Sequence, residues 1–207
     1  MTGLTDFQAD VARLFFSVPA SDGFLLAGGG ALLATGLTTR PTEDFDFFGD
    51  REHVDIAAAR DQFETAVAER GWQSTRVQDG GSFVRLRVTG DDDVIVDLAI
   101  DVPAGRPLAV SVVGPTFDPE ELAGRRLIAL FDRAKARDFV DVYMLAQRFR
   151  REVLLERAAE VDLGFDHAVL ATMMRSLDRF SDDELPVEPG DADAVRSYFR
   201  DWTSELS

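Results

Sequence analysis

The chain has 207 residues, 45% of them hydrophobic, with no cysteine, two histidines and a formal net charge of −16. That length and composition predict one compact domain or two small lobes around a real core. The missing cysteines exclude disulfides, thiolate metal sites and cysteine nucleophiles, two histidines argue against zinc, and the acidic balance argues against a broad basic surface gripping many phosphates.

No apolar run reaches membrane-spanning length, and the acidic opening MTGLTDFQAD lacks the basic-then-apolar order of a signal peptide. The expectation is a cytoplasmic protein with no membrane partner. TDFQADVARLFF (5–16) predicts a helix capped by Thr5 or Asp6. GFLLA (23–27) reads as a strand or as the lead-in to a turn, broken by Gly28, Gly29 and Gly30, after which ALLATGL predicts a short helix ending at Gly36. DFDFF (44–48) alternates acid and aromatic, the pattern of a strand with carboxylates on one face and phenylalanines on the other. VDIAAARDQFETAVAERG (54–71) is an amphipathic helix with Gly71 just past its end. WQSTRV, SFVRLRV and DVIVDLAI predict three strands, and GDDD (90–93) a hairpin turn between the last two. From Asp118 onward the pattern is helical, over 118–131, 134–149, roughly 151–160, 166–178 and 191–205. The fold expected is therefore α+β: a mixed α/β core over 1–115 and an all-helical lobe over 116–207, separate or packed as one unit.

Asp44 and Asp46 are two apart on their strand, so both face the same way, about 6.5–7 Å apart along the backbone. Two such carboxylates repel unless a cation lies between them, and hard divalent ions take one or two carboxylates plus substrate phosphates. Read structurally, the pair is an exposed acidic strand edge. Gly28, Gly29 and Gly30 read either as a plain turn or as backbone freed to face an anion at a helix N-terminus. Asp97, in the apolar run DVIVDLAI, is a third carboxylate and is costly to bury without a partner or a metal. Lys135, Arg137, Asp138 and Asp141 are spaced for one helix face. They read as a solvated salt-bridged face, or as a cation for a triphosphate (Lys135) oriented by Asp138 and Asp141. The phenylalanines and Trp72 and Trp202 read as packing residues, and His53 and His167 as surface or capping ones.

LAGGGALLATGLTTRPTEDFDFFG (26–49) resembles the opening motif of the AbiEii/AbiGii nucleotidyltransferase toxins, which include MenT-type toxins and belong to the DNA polymerase β-like nucleotidyltransferase superfamily. Gly28–Gly29, Arg40, Thr42, Asp44 and Asp46 match the motif in order and spacing, and RAKARDFVDVYML (133–145) is similar to its downstream block through Lys135, Arg137, Asp138 and Asp141. The family often has Lys-x-Asp or Lys-x-Glu on the third acidic strand, whereas this chain has Ile95-Val96-Asp97; Arg85 and Arg87 on the neighbouring strand are the candidates to supply that charge.

The resemblance implies a polymerase β-like core with a small mixed sheet. It implies Mg2+ (or Mn2+) held by Asp44, Asp46 and Asp97, with Asp97, Lys135 and Asp138 as further catalytic groups. The nucleoside triphosphate would be bound by Gly28, Gly29, Gly30, Arg40, Thr42, Lys135 and Arg137, with Asp141 orienting Lys135 or Arg137. It further implies transfer, often of a pyrimidine nucleotide, to the 3′ end of tRNA by the toxin of a toxin–antitoxin pair, neutralised by a cognate antitoxin. On an acidic chain, tRNA needs concentrated cations, and Arg125, Arg126 and Arg133 are the expected acceptor-binding strip. The alternatives are a nucleotidyltransferase acting on a small molecule such as an antibiotic or on a protein side chain, and a non-catalytic nucleotide- or partner-binding module.

Overall fold

A computed structural model describes residues 3–188 and 190–206. Helix α1 (Asp6–Ser17) starts where the Thr5 hydroxyl accepts from the Gln8 amide and the Gln8 side chain accepts from the Thr5 amide. This reciprocal cap satisfies two donors that the first helical turn leaves without partners. The buried stripe of α1 includes Val11 and Phe15. Phe15 stacks on Phe47 with ring centroids 4.1 Å apart and meets Phe24 and Phe63 edge-on, so one aromatic cluster joins the helix to the sheet.

Among the described residues, seven strands form one mixed sheet: β1 (Phe24–Ala27), β2 (Asp44–Gly49), β3 (Gln73–Asp79), β4 (Phe83–Thr89), β5 (Asp93–Ile100), β6 (Ala109–Val110) and β7 (Pro115–Thr116). Their spatial order is β3-β4-β5-β2-β1-β7-β6. β2 runs parallel to β5 and antiparallel to β1, while β3, β4 and β5 form an antiparallel meander. Register then sorts the side chains. Phe45, Phe47, Val84, Leu86, Val88, Val94, Val96 and Leu98 share the face that is fully buried, against α1 and against α3 (Ile56–Glu69). Asp44, Asp46, Arg85, Arg87 and Asp97 share the other face. Phe48 falls on the acidic face by the same alternation and is only half-buried, as is Phe16, so these two are not core rings as Phe24, Phe45 and Phe47 are.

Two sequence expectations change. The glycine run is not a loop before a helix: Gly28, Gly29 and Gly30 are themselves the first turn of α2 (Gly28–Ala34). The segment 101–119 is not merely a junction, because β6 and β7 lie within it and β7 pairs with β1. Two-residue strands carry no periodicity to read, and their pairing depends on a strand some 90 positions earlier, Leu26 facing Thr116.

The chain divides into two compact units, Met1–Asp118 and Pro119–Ser207. The second contains α4 (Pro119–Arg133), α5 (Ala136–Leu145), α6 (Arg151–Val161), α7 (His167–Arg175) and α8 (Ala192–Glu205). Its core includes Leu127, Leu130, Phe139, Leu154, Leu170, Phe199 and Trp202, with Phe139 edge-on to Phe199 at 5.1 Å. A Cβ on Gly124 would lie 2.5 Å from Arg157 Cβ, so the glycine is what lets α4 and α6 approach. The helical segment expected over 134–149 begins later, at Ala136, because Ala134 turns the chain with φ +44°. No helix among the described residues is long and apolar enough to cross a membrane.

Candidate active site

Strand β2 projects Asp44 and Asp46 from the sheet face opposite the aromatic core, which keeps their carboxylates out of the apolar layer. Asp44 is aimed by its own N-terminal flank: the buried Thr42 donates its hydroxyl to Asp44 Oδ1 at 2.8 Å, and Gln8 Nε2 anchors the Thr42 carbonyl at 2.7 Å. Thr42 thus holds a carboxylate. Arg40 donates Nη1 to the Pro41 carbonyl at 2.8 Å, beside that flank.

The glycine run meets the acidic pair at Gly28. Its φ of +61° is the left-handed region, and a Cβ there would lie 1.8 Å from Asp46 Oδ2. No side chain fits without moving the Asp46 carboxylate. Gly30 is required for a different reason, since its Cβ would lie 2.4 Å from a ring carbon of Phe45. The spacing that looks like a phosphate cradle followed by a metal clamp is therefore also one packed unit, in which the start of α2 rests on β2. Gly29 is buried with them.

Asp97 stands directly across from Asp46 in the β2–β5 register. It is 3% exposed, and its two oxygens are taken by one guanidinium: Arg85 Nε donates to Oδ1 at 2.8 Å and Nη2 to Oδ2 at 2.5 Å. The Arg85 guanidinium is held above its usual pKa, first by the hydrogen bonds to Asp97; burial pulls the other way, and the charges of Asp97, Asp44 and Asp46 add to the rise. One cation thus feels all three carboxylates. Among the described residues, no three histidine or acidic side chains group as a metal cage. What this face offers a metal is the Asp44/Asp46 pair. Two hard carboxylate oxygens suit Mg2+ or Mn2+, ions that complete their shell with water and substrate phosphates.

The second predicted block folds differently from an open cationic face. Asp138 and Asp141 are both 0% exposed. Asp138 accepts from Arg126 Nη1 at 2.9 Å, from Arg133 Nε at 3.0 Å and Nη2 at 3.1 Å, and from the Lys135 amide at 3.1 Å. Arg126 Nε lies 3.4 Å from Asp141 Oδ2. Burial alone would raise the Asp138 pKa; the hydrogen bonds from Arg133 and the charges of Arg126 and Arg133 overcome it and hold the carboxyl below its usual value. These bonds lock the corner where α4 ends at Ala134 and α5 begins. Lys135 is exposed at that corner and Arg137 is half-buried.

The expected acceptor strip is accordingly not an open one. Arg126 is 5% exposed and serves Asp138 and Asp141. Arg125 is largely buried and forks onto the buried Glu121 through Nε at 3.0 Å and Nη2 at 2.9 Å. Only Arg133 of the three keeps substantial exposure. The cause is physical: two buried aspartates on α5 and a buried glutamate on α4 require counter-ions, and these arginines are within reach. Sequence reasoning names Arg85 and Arg87 together as candidates to supply a charge beside Asp97; the register selects Arg85, since Arg87 faces Ile95. The signal for Arg85 was present, because pairing Thr89 with Asp93 across the hairpin places Arg85 opposite Asp97.

A family model described as the nucleotidyl transferase AbiEii toxin of type IV toxin–antitoxin systems matches residues 11–206, nearly the whole chain. The chain belongs to the AbiEii family. It is thus a nucleotidyltransferase of toxin type, an enzyme with a nucleotide substrate, from a family whose systems pair a toxin with an antitoxin. The AbiEii fold is also seen in solved structures. JHP933 from Helicobacter pylori is similar with a TM-score of 0.61 at 19% identity, over 97% of this chain and 88% of that one. The nucleotidyltransferase toxin MenT4 from Mycobacterium tuberculosis H37Rv is similar with a TM-score of 0.57 at 16% identity, over 96% of this chain and 82% of that one. No curated protein matches the chain.

Proposed function

We propose that this AbiEii-family chain transfers a nucleotide from a nucleoside triphosphate to the 3′ acceptor end of tRNA, with Mg2+ (or Mn2+) at Asp44 and Asp46, and so blocks translation as the toxin of a toxin–antitoxin pair in the cytoplasm. The observation that carries the chemistry is the aimed carboxylate pair, with Thr42 fixing Asp44 and side-chain-free Gly28 pressed against Asp46. A divalent ion bound there would supply charge neutralisation for the triphosphate and for the in-line displacement at its α-phosphate, in which the acceptor hydroxyl gains the nucleotidyl group and pyrophosphate leaves. Asp44 and Asp46 hold and orient; the first turn of α2, at Gly28–Gly30, leaves backbone within reach of the same point. Asp97 is the carboxylate for an acceptor proton only if Arg85 lets go of it. For Lys135 and Arg137 we retain the triphosphate-binding role that the resemblance implies, with Asp138 and Asp141 acting through the corner they lock. A cognate antitoxin is the implied partner.

A second reading has one observation in its favour. Arg125 and Arg126 are engaged in ion pairs and the chain is strongly acidic, which suits transfer to a small molecule or to a protein side chain better than to an RNA. Incubation with total tRNA, each labelled triphosphate in turn and Mg2+, with EDTA and Asp44→Ala controls, separates the two. Label at the tRNA 3′ end, lost in both controls, supports the tRNA reading, with a log–log salt slope of only about −2 to −4 because few phosphate contacts form. Label that never enters tRNA but enters a small-molecule or protein fraction ends it.

A further inference from the structure

Asp97 and Arg85 form a side-on fork: one edge of the guanidinium, Nε and Nη2, covers both carboxylate oxygens. The two partners differ sharply in exposure, since Asp97 is 3% exposed while the Arg85 side chain is 42% exposed. Nη1, on the opposite edge, has no hydrogen-bond partner among the described residues. Register sets this cation beside the acidic pair, because Arg85 faces Asp97 across β4–β5 and Asp97 faces Asp46 across β2–β5. Bringing a metal onto Asp97 would require breaking two charge-assisted hydrogen bonds and leaving a guanidinium displaced next to the ion.

We propose that Arg85 is a triphosphate-binding residue, clamped by Asp97 with its free edge turned to the phosphates, and that Asp97 is a positioning residue for Arg85, not a metal ligand. This rests on the nucleotidyl-transfer reading above and deepens it. A planar guanidinium fixed along one edge presents its remaining donors in a set direction, which is how arginine reads phosphate oxygens two at a time. The carboxylates on this face then divide the work. Asp44 and Asp46 take the metal, and Asp97, already neutralised by Arg85, adds no uncompensated negative charge where a triphosphate must arrive.

The test separates metal binding from phosphate binding. Arg85→Ala alone would leave a buried carboxylate without its partner and risks misfolding, so the variants are Asp97→Asn and Arg85→Ala/Asp97→Asn, each checked by its thermal melt. Mn2+ binding without nucleotide is followed by electron paramagnetic resonance. Binding of ATP, CTP, GTP and UTP, and of each monophosphate, is followed by titration calorimetry with Mg2+. The double variant, which removes both charges of the fork together, should keep wild-type Mn2+ affinity. It should lose triphosphate affinity about ten- to hundredfold, the range for one charge-assisted hydrogen bond, while monophosphate binding stays unchanged. Asp97→Asn should show part of that loss, since its Arg85 is no longer clamped. Loss of Mn2+ binding in the double variant, where no released Arg85 cation is left to repel the ion, would make Asp97 a metal ligand and overturn the proposal. Wild-type triphosphate affinity in the double variant would overturn it too, leaving the fork a structural ion pair. A wild-type chain that binds none of the four triphosphates would instead sink the nucleotidyl-transfer reading itself.

Discussion

Replacing Arg126 by alanine should lower the stability of the whole chain, not merely strip a cation from its surface. The side chain is 5% exposed and meets two carboxylates that are 0% exposed, Asp138 at 2.9 Å and Asp141 at 3.4 Å. Removing one member of a buried ion cluster costs about 3–5 kcal/mol, because the remaining charge stays desolvated. For a chain of this size each kcal/mol moves the melting temperature by about 2–4 °C, so the expected drop is about 6–20 °C. Arg133→Ala should lose only about 1 kcal/mol: its side chain is 42% exposed and water screens it, and Arg126 still serves Asp138. Far-UV circular dichroism against temperature and urea measures both. The same network predicts an acid limb. The folded pKa of Asp138 is depressed, so its stabilisation is fully present above the unfolded value of about 3.9 and is lost as pH falls through the lower folded value. Asp138→Asn should lower stability at neutral pH and flatten that limb. If Arg126→Ala melts with the wild type yet modifies tRNA poorly, the arginine is a free acceptor-binding cation and this reasoning is wrong.

Asp44→Ala and Asp46→Ala should each abolish transfer with the circular dichroism spectrum intact, since both carboxylates lie off the aromatic core; turnover retained in both would remove the metal pair from the mechanism. Gly28→Ala should cost stability and activity together. A non-glycine residue at φ +61° loses about 1–2 kcal/mol, and the new Cβ displaces the Asp46 carboxylate it would touch. Adding Asp46→Ala to Gly28→Ala should restore part of the melting temperature but none of the transfer; a double variant no more stable than the single one would show that the clash lies elsewhere.

Much of this protein is written locally. Thr5 and Gln8 cap α1, Gly71 ends α3 with φ +75°, and the two-residue alternation of DFDFF puts Asp44 and Asp46 on one face, because each is a matter of neighbours within a helical turn or a strand pleat. Even the Arg85–Asp97 pairing follows from counting back from the hairpin turn at residues 90–92. The two motif blocks, read in order, were enough to reach the AbiEii family. Other properties are set between residues far apart in the chain. That Asp97 lies beside Asp46 depends on a parallel pairing whose crossover spans α3, β3 and β4. That Gly28 must be glycine depends on where the Asp46 side chain comes to rest. β6 and β7 exist only because β1 offers an edge to pair with. An arginine reads the same in the amino-acid sequence whether its side chain meets water or a buried aspartate, so Arg125 and Arg126 read as a basic strip until folding brought Glu121, Asp138 and Asp141 against them. Local pattern determines which way a side chain points; tertiary packing determines what it meets there, because burial removes water and a desolvated charge must find its counter-ion within the fold.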